Sequence, residues 1–151
     1  MLWLFIVLIS DRLTKLWAIA SLKEQAPMEV IPGILEFHYA ENTGIAFSMF
    51  HDMPMLLTVL NSLIILGLVV WVIKNKKLDL GFALIIAGGL GNLIDRFFYG
   101  YVVDFINPLF IDFAVFNVSD IALNLGVIAL LVGSFKNKKV SCCSKDGGIA
   151  S

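Results

Sequence analysis

Residues 80–98 read LGFALIIAGGLGNLIDRFF, and this stretch decides what kind of molecule the rest of the chain must build. It is nearly the length of about 20 predominantly apolar residues that a helix needs to cross a bilayer. Its second half nonetheless carries Asn92, Asp95 and Arg96. An ionisable side chain in hydrocarbon costs roughly 2.5–3.5 kcal/mol even on the lenient insertion scale, so it faces a protein interior or a wet cavity and usually pairs. The i, i+3, i+4 spacing puts all three groups on one helix face. Ala83, Ala87 and Gly91 recur at four-residue spacing, with Gly88 and Gly89 beside them. Small residues so placed let a neighbouring helix approach closely. No Gly-Lys-Ser/Thr follows, so the glycines are not a phosphate loop.

Outward from this segment, the stretches Leu2–Leu22, Pro54–Ile73 and Phe113–Phe135 are also apolar enough to span. The second carries no charge and only Asn61 as a strongly polar residue. The first is interrupted by Asp11, Arg12 and Lys15 and lacks a basic start, so it reads as a spanning helix and not as a cleavable signal peptide. Composition agrees: of 151 residues 59% are hydrophobic and 15% charged, against about 25% charged in an ordinary soluble domain. A net charge of −1 argues against a polybasic nucleic-acid binder. His38 and His51 have no ligand-like spacing, so neither a metal site nor a cofactor is expected. Cys142 and Cys143 are adjacent and suggest no disulfide framework.

The expected fold is therefore an all-α membrane protein: a four-transmembrane-helix bundle in one domain, residues 1–139, followed by a disordered polar tail, 140–151. Lysines set its orientation. Lys74, Lys76 and Lys77 lie between the second and third stretches, and Lys136, Lys138 and Lys139 follow the fourth. The 23–53 loop has one Lys against several acids, and the 99–112 loop has no Lys or Arg. The positive-inside rule then makes both termini and the 74–79 loop cytoplasmic, and the other two loops external. In the first external loop Leu35, Phe37 and Tyr39 alternate with Glu36 and His38, the period of a half-exposed strand. Pro32-Gly33 and Asn42-Thr43-Gly44 flank it as turns, so a small extracytoplasmic β-sheet is expected. The aromatic-rich 99–112 loop is expected to be an interfacial segment.

The acids divide by position. Asp11 and Lys15 stand at i, i+4 with the acid first, the favourable order for a pair. Asn117, Asp120 and Asn124 share a face of the fourth helix. Three helices thus carry polar stripes, and the economical arrangement points them at one cavity. Asp104, after the third helix, and Asp120, at the start of the fourth, fall near the same membrane face. Two carboxylates in close contact share a proton, because both cannot ionise cheaply. One can then act as base toward a water and the other as acid toward a leaving amine. Spacing alone is equally satisfied by an interfacial Asp104 and an Asp120 favoured by the helix dipole.

The run Gly88-Gly89-Leu90-Gly91-Asn92-Leu93-Ile94-Asp95-Arg96, then Gly100-Tyr101-Val102-Val103-Asp104-Phe105, then Phe116-Asn117-Val118-Ser119-Asp120, resembles the lipoprotein signal peptidases (signal peptidase II) of bacteria. Asp11-Arg12-Leu13-Thr14-Lys15 is similar to the family's first-helix motif, and Asn42-Thr43-Gly44-Ile45-Ala46-Phe47-Ser48 to its outer-loop motif. Ser119 and Ile45 stand where Ala is usual. The resemblance implies that Asp104 and Asp120 are the catalytic aspartates. It implies that Asn92, Asp95, Arg96 and Asn117 line the active site, that Asn42 and Gly44 contact substrate, and that Asp11 and Lys15 form a structural polar pair. It further implies an aspartic endopeptidase of the bacterial cytoplasmic (inner) membrane, expected as a monomer among membrane lipids. Its active site would lie toward the outer face. Its substrates would be diacylglyceryl-modified prolipoproteins, cut just before the lipid-modified cysteine. Intramembrane acids also mark proton relays, so the rival classes are a small proton-coupled transporter and a scaffold whose charges only pair internally.

Overall fold

The computed structural model describes residues 2–44 and 54–143. In chain order the elements are α1 (Leu2–Leu22), β1 (Met28–Ile31), β2 (Leu35–Asn42), α2 (Pro54–Asn75), α3 (Leu80–Tyr99), β3 (Val102–Pro108) and α4 (Val118–Cys143). Three helical segments, Met55–Asn75, Leu80–Tyr99 and Val118–Phe135, are long and apolar enough to cross a membrane. α1 is of the same length, but Asp11, Arg12 and Lys15 break its apolar run, so the expected fourth span is not established on length and composition. α2 turns Leu63, Ile64, Leu66 and Ile73 outward, a surface suited to hydrocarbon and not to water.

α3 is the hub, packing against α4 most extensively and against α1 and α2 as well. Its glycines explain how. A Cβ on Gly88 would sit 2.4 Å from the Ser119 carbonyl oxygen, and one on Gly91 would sit 2.1 Å from Ser119 Oγ, so α4 rests directly on the α3 backbone. Gly126 of α4 returns the contact, with its Cβ position 2.8 Å from Gly81 O. Gly89 faces the other way and receives Ile65 of α2. Asp79 caps α3 by accepting from Phe82 N at 3.1 Å, and Gly100, at φ +81, ends it in the left-handed conformation that glycine adopts freely.

The three strands form one antiparallel sheet in the order β1-β2-β3. The alternation over 35–39 does become a strand, β2, extended to Asn42. It carries Phe37 against Trp17 of α1 and Phe105 of β3, with ring centroids 5.3 and 6.0 Å apart. The 99–112 segment corrects the expectation. Val102–Pro108 is the third strand, with Val102, Val103, Asp104 and Phe105 buried, Val103 and Phe105 packing against Ala18 and Leu22 of α1. Only its far end, with Phe110 71% and Ile111 53% exposed, presents an apolar surface. α4 begins at Val118 and not at Phe113. Before it the chain is extended, and Phe116 pairs with Ile106 on the free edge of β3. At its other end α4 is helical to Cys143, inside the segment 140–151 expected as a tail. Residues 144–151 and 45–53, the latter including most of the outer-loop motif and His51, lie outside the described residues.

Candidate active site

Each polar side chain at the sheet end of the bundle is brought there by a separate local device. Asp104 sits in β3 opposite Ala40 of β2, two residues from the pair Asn42–Val102. That register lets Asn42 Nδ2 donate to Asp104 Oδ2 at 2.9 Å. The Phe116–Ile106 bridge delivers Asn117 to the same carboxylate, where its Nδ2 donates to Asp104 Oδ1 at 2.6 Å. Asn117 is also the N-cap of α4. Its Oδ1 accepts from Asp120 N at 3.0 Å, while Asp120 Oδ2 accepts from Asn117 N at 3.1 Å. This reciprocal capping box satisfies helix-end donors and at the same time fixes the Asp120 carboxylate. Asn92 of α3 completes the set by donating through Nδ2 to Asp120 Oδ1 at 2.8 Å.

Behind these groups lies a layer of buried charge. Lys15 is fully buried, and its Nζ stands 3.0 Å from Asp11 Oδ2, 2.8 Å from Asp95 Oδ2 and 3.0 Å from Asn92 Oδ1. The other oxygen of Asp95 accepts from Arg12 Nη2 at 2.5 Å, and Asp95 Oδ2 also accepts from Val103 N at 3.2 Å. Asp11 Oδ1 accepts from Ser119 N at 3.0 Å, tying α1 to the first turn of α4. A buried charge is tolerable only when paired and hydrogen-bonded, and these groups meet that condition. Arg96 does not join Asp95, although it follows it in sequence. It reaches the 42–44 segment, donating through Nη2 to Gly44 O at 2.7 Å.

The structure thus gathers Asn42, Gly44, Asn92, Asp95, Arg96, Asp104, Asn117 and Asp120 at one place. Asp11 and Lys15 form the expected ion pair, but Lys15 goes further and touches Asn92. Asn124, on the same stripe as Asp120, is exposed and stays outside the network. Sequence reasoning had no signal for the apolar walls. Asn42 and Asp120 separate two cavities. One, of 330 Å³, runs toward α2 and is lined by Leu57, Leu60, Asn61, Ile64, Arg96 and Leu123. The other, of 530 Å³, is lined by Phe113, Val115, Phe116, Ile121, Asn124 and Leu125. Burial, and then the neighbouring Asp120 charge, raise Asp104 to about 7, against the lowering effect of Asn42, Asn117 and Lys15. A carboxyl so tuned can carry a proton at neutral pH and release it.

A multi-pass membrane protein with a buried carboxylate, Asp104, and a half-buried one, Asp120, beside apolar cavities at one end of its helices has the equipment of a membrane hydrolase. The comparisons with known proteins give the class its name. The family described as signal peptidase (SPase) II matches residues 3–136, and the chain belongs to that family of proteases. It is 43% identical over 133 residues to the lipoprotein signal peptidase of Thermosynechococcus vestitus, covering 83% of this chain and 84% of that one. It is 37% identical over 135 residues to the lipoprotein signal peptidase of Streptococcus thermophilus, covering 87% and 88%. A bacterial membrane enzyme solved by the in meso method at 1.9 Å resolution superposes with a TM-score of 0.78 at 33% identity, over 89% of this chain and 91% of that one. Nothing in these comparisons supports a proton-coupled transporter.

Proposed function

We propose that this protein is an intramembrane aspartic endopeptidase that removes the signal peptide from diacylglyceryl-modified prolipoproteins, cutting just before the lipid-modified cysteine. One observation carries the reading: a single residue, Asn117, holds both carboxylates, its side-chain NH2 donating to Asp104 Oδ1 and its backbone N–H to Asp120 Oδ2, while Asp120 itself lines two apolar cavities. A pair of carboxylates held on one residue suits a shared-proton mechanism. One carboxylate takes a proton from water as the water oxygen adds to the scissile carbonyl carbon. The other, protonated, gives its proton to the amide nitrogen as the carbon–nitrogen bond breaks. The products are a new carboxyl end on the signal peptide and a free amine on the cysteine. The pair returns with its proton on the opposite member, and no nucleophilic Ser or Cys is needed.

The substrate is a spanning segment whose last turn must open for attack. Its freed backbone groups need partners at the edge of the hydrocarbon, and Asn42, Gly44 and Arg96 offer them. In this reading α1 is the fourth span, its charges spent on Asp95 and Asn92 and not on lipid. Lysine asymmetry makes both termini cytoplasmic and the sheet external, in the bacterial inner membrane. The apolar 109–113 turn lies in the interface, and residues 1–139 act as a single domain and as a monomer. The test is incubation of the purified protein with a diacylglyceryl-modified precursor and mass analysis of the products. A new amino terminus at the lipid-modified cysteine is expected; an intact precursor, or a cut elsewhere, contradicts the assignment.

A further inference from the structure

We propose that Lys15 is a positioning residue of the catalytic pair, locking the Asn92 amide so that its NH2 group faces Asp120. The inference rests on the reading of Asp104 and Asp120 as the catalytic pair, and gives a working role to a lysine that its spacing with Asp11 makes look purely structural.

An ammonium can only donate. Placed 3.0 Å from Asn92, it holds Oδ1 toward itself and leaves Nδ2 to Asp120 Oδ1 at 2.8 Å. Asn117 Nδ2, 3.2 Å from the same Oδ1, adds a second donor on that side. A flipped Asn92 would set its NH2 against the Lys15 ammonium and its carbonyl against the Asp120 carboxylate, two repulsive contacts in place of two favourable ones. Lys15 is held for this task from behind, because Asp11 and Asp95 occupy its remaining two donors. Its reach is also electrostatic. The charged groups that act on Asp104 are Asp120 from α4, Arg96 from α3 and Lys15 from α1, while β2 brings the neutral Asn42 amide. Lys15 lowers the proton affinity of Asp104, so its charge helps set the pH at which the pair holds one proton.

Removing Lys15 alone strands the buried Asp11 carboxylate, so the variant to make is Lys15→Met with Asp11→Asn. This pair of changes keeps the charge balance and leaves Asp95 to Arg12. Cleavage of a diacylglyceryl-modified precursor is followed as kcat and KM across pH. At normal folded yield, kcat should fall about tenfold or more with KM unchanged. Wild-type kcat, or a loss carried by KM with kcat kept, overturns the proposal. Should the double variant fold poorly, Asn92→Ala carries the test, since it leaves the Lys15 ion pairs intact. It should lose kcat and keep KM, and an Asn92→Ala enzyme with wild-type kcat overturns the proposal equally. A wild-type protein that leaves the precursor uncut would instead sink the proposed function.

Discussion

Asn117 and Asp120 cap each other: Asn117 Oδ1 accepts from Asp120 N at 3.0 Å, and Asp120 Oδ2 accepts from Asn117 N at 3.1 Å. Helix capping and the geometry of the candidate site are therefore one structure, and two substitutions separate them. Asn117→Ala removes the cap, at about 1 kcal/mol, together with the bond to Asp104. Asn117→Ser keeps a capping oxygen and loses only the amide that binds Asp104. Both variants should lose at least about tenfold in kcat, while thermal unfolding should be clearly lowered only for the alanine. Equal unfolding temperatures, or an active serine variant, would disconnect the two roles.

Asp104 makes stability and activity depend on pH in opposite senses from an ordinary salt-bridged acid. Its folded value, about 7, lies above the unfolded carboxylate value, about 3.9. The folded state thus holds the proton more tightly. The contribution to stability is fully present below the unfolded value and is lost as pH rises through about 7. Turnover should show an alkaline limb in the same region, as the pair loses its single proton. Thermal melts from about pH 5 to 8 should decline in the wild type and flatten in Asp104→Asn. A wild-type profile as flat as that of the variant would contradict this.

The α3–α4 contact predicts a graded glycine series. Gly88→Ala meets the backbone oxygen of Ser119, which cannot move without moving α4. Overpacking of this kind costs about 1–3 kcal/mol, with some loss of activity because Asp120 rides on the same turn. Gly89→Ala meets only the movable end of Ile65, and Gly67→Ala meets nothing within 4 Å. Unfolding in detergent should rank Gly88 as the most damaging and Gly67 as neutral, and a neutral Gly88→Ala would argue against such close approach.

Much of this was legible because membranes make polar residues conspicuous. The stripe Asn92, Asp95, Arg96 stands out against an apolar helix, and the small residues beside it announce a close neighbour. What periodicity could not resolve is where adjacent side chains go. Asp95 and Arg96 are neighbours in sequence, yet a helix turns about 100° per residue. Asp95 is thereby sent to α1 and Arg96 to Gly44. The contact of Lys15 with Asn92 spans |i−j| of 77 and leaves no local trace. The strand nature of β3 was hidden too. Its apolar side chains suit an interface as well as a sheet, and only pairing with β2 and cover from α1 decide between them. The start of α4 was blurred because Phe113–Phe116 continues the apolar run, although Asn117 carries the helix-start signal as an N-cap.

Orientation is open to direct chemistry. The lysine asymmetry predicts that positions 76 and 138 are cytoplasmic, and that Glu36 and Asn107, which hydrogen-bond to each other at 2.7 Å on the sheet, are external. Single cysteines at these positions, labelled on intact cells with an impermeant reagent, should react at 36 and 107 and stay silent at 76 and 138. Labelling at 76 from outside would invert the topology and move the site to the wrong face for an exported substrate.

The central claim is that Asp104 and Asp120 work as one proton-sharing unit. Asp104→Asn and Asp120→Asn preserve size and most hydrogen-bonding capacity, and remove only the ability to take up and return a proton. The measurement is turnover of a diacylglyceryl-modified precursor by each single variant and by the double, in detergent, at matched folded protein. Residues acting as a unit are grossly non-additive. Each single change is therefore predicted to abolish cleavage, the double to be little worse than either, and thermal stability to hold. Substantial turnover by either single variant would contradict the account and remove that aspartate from the chemistry.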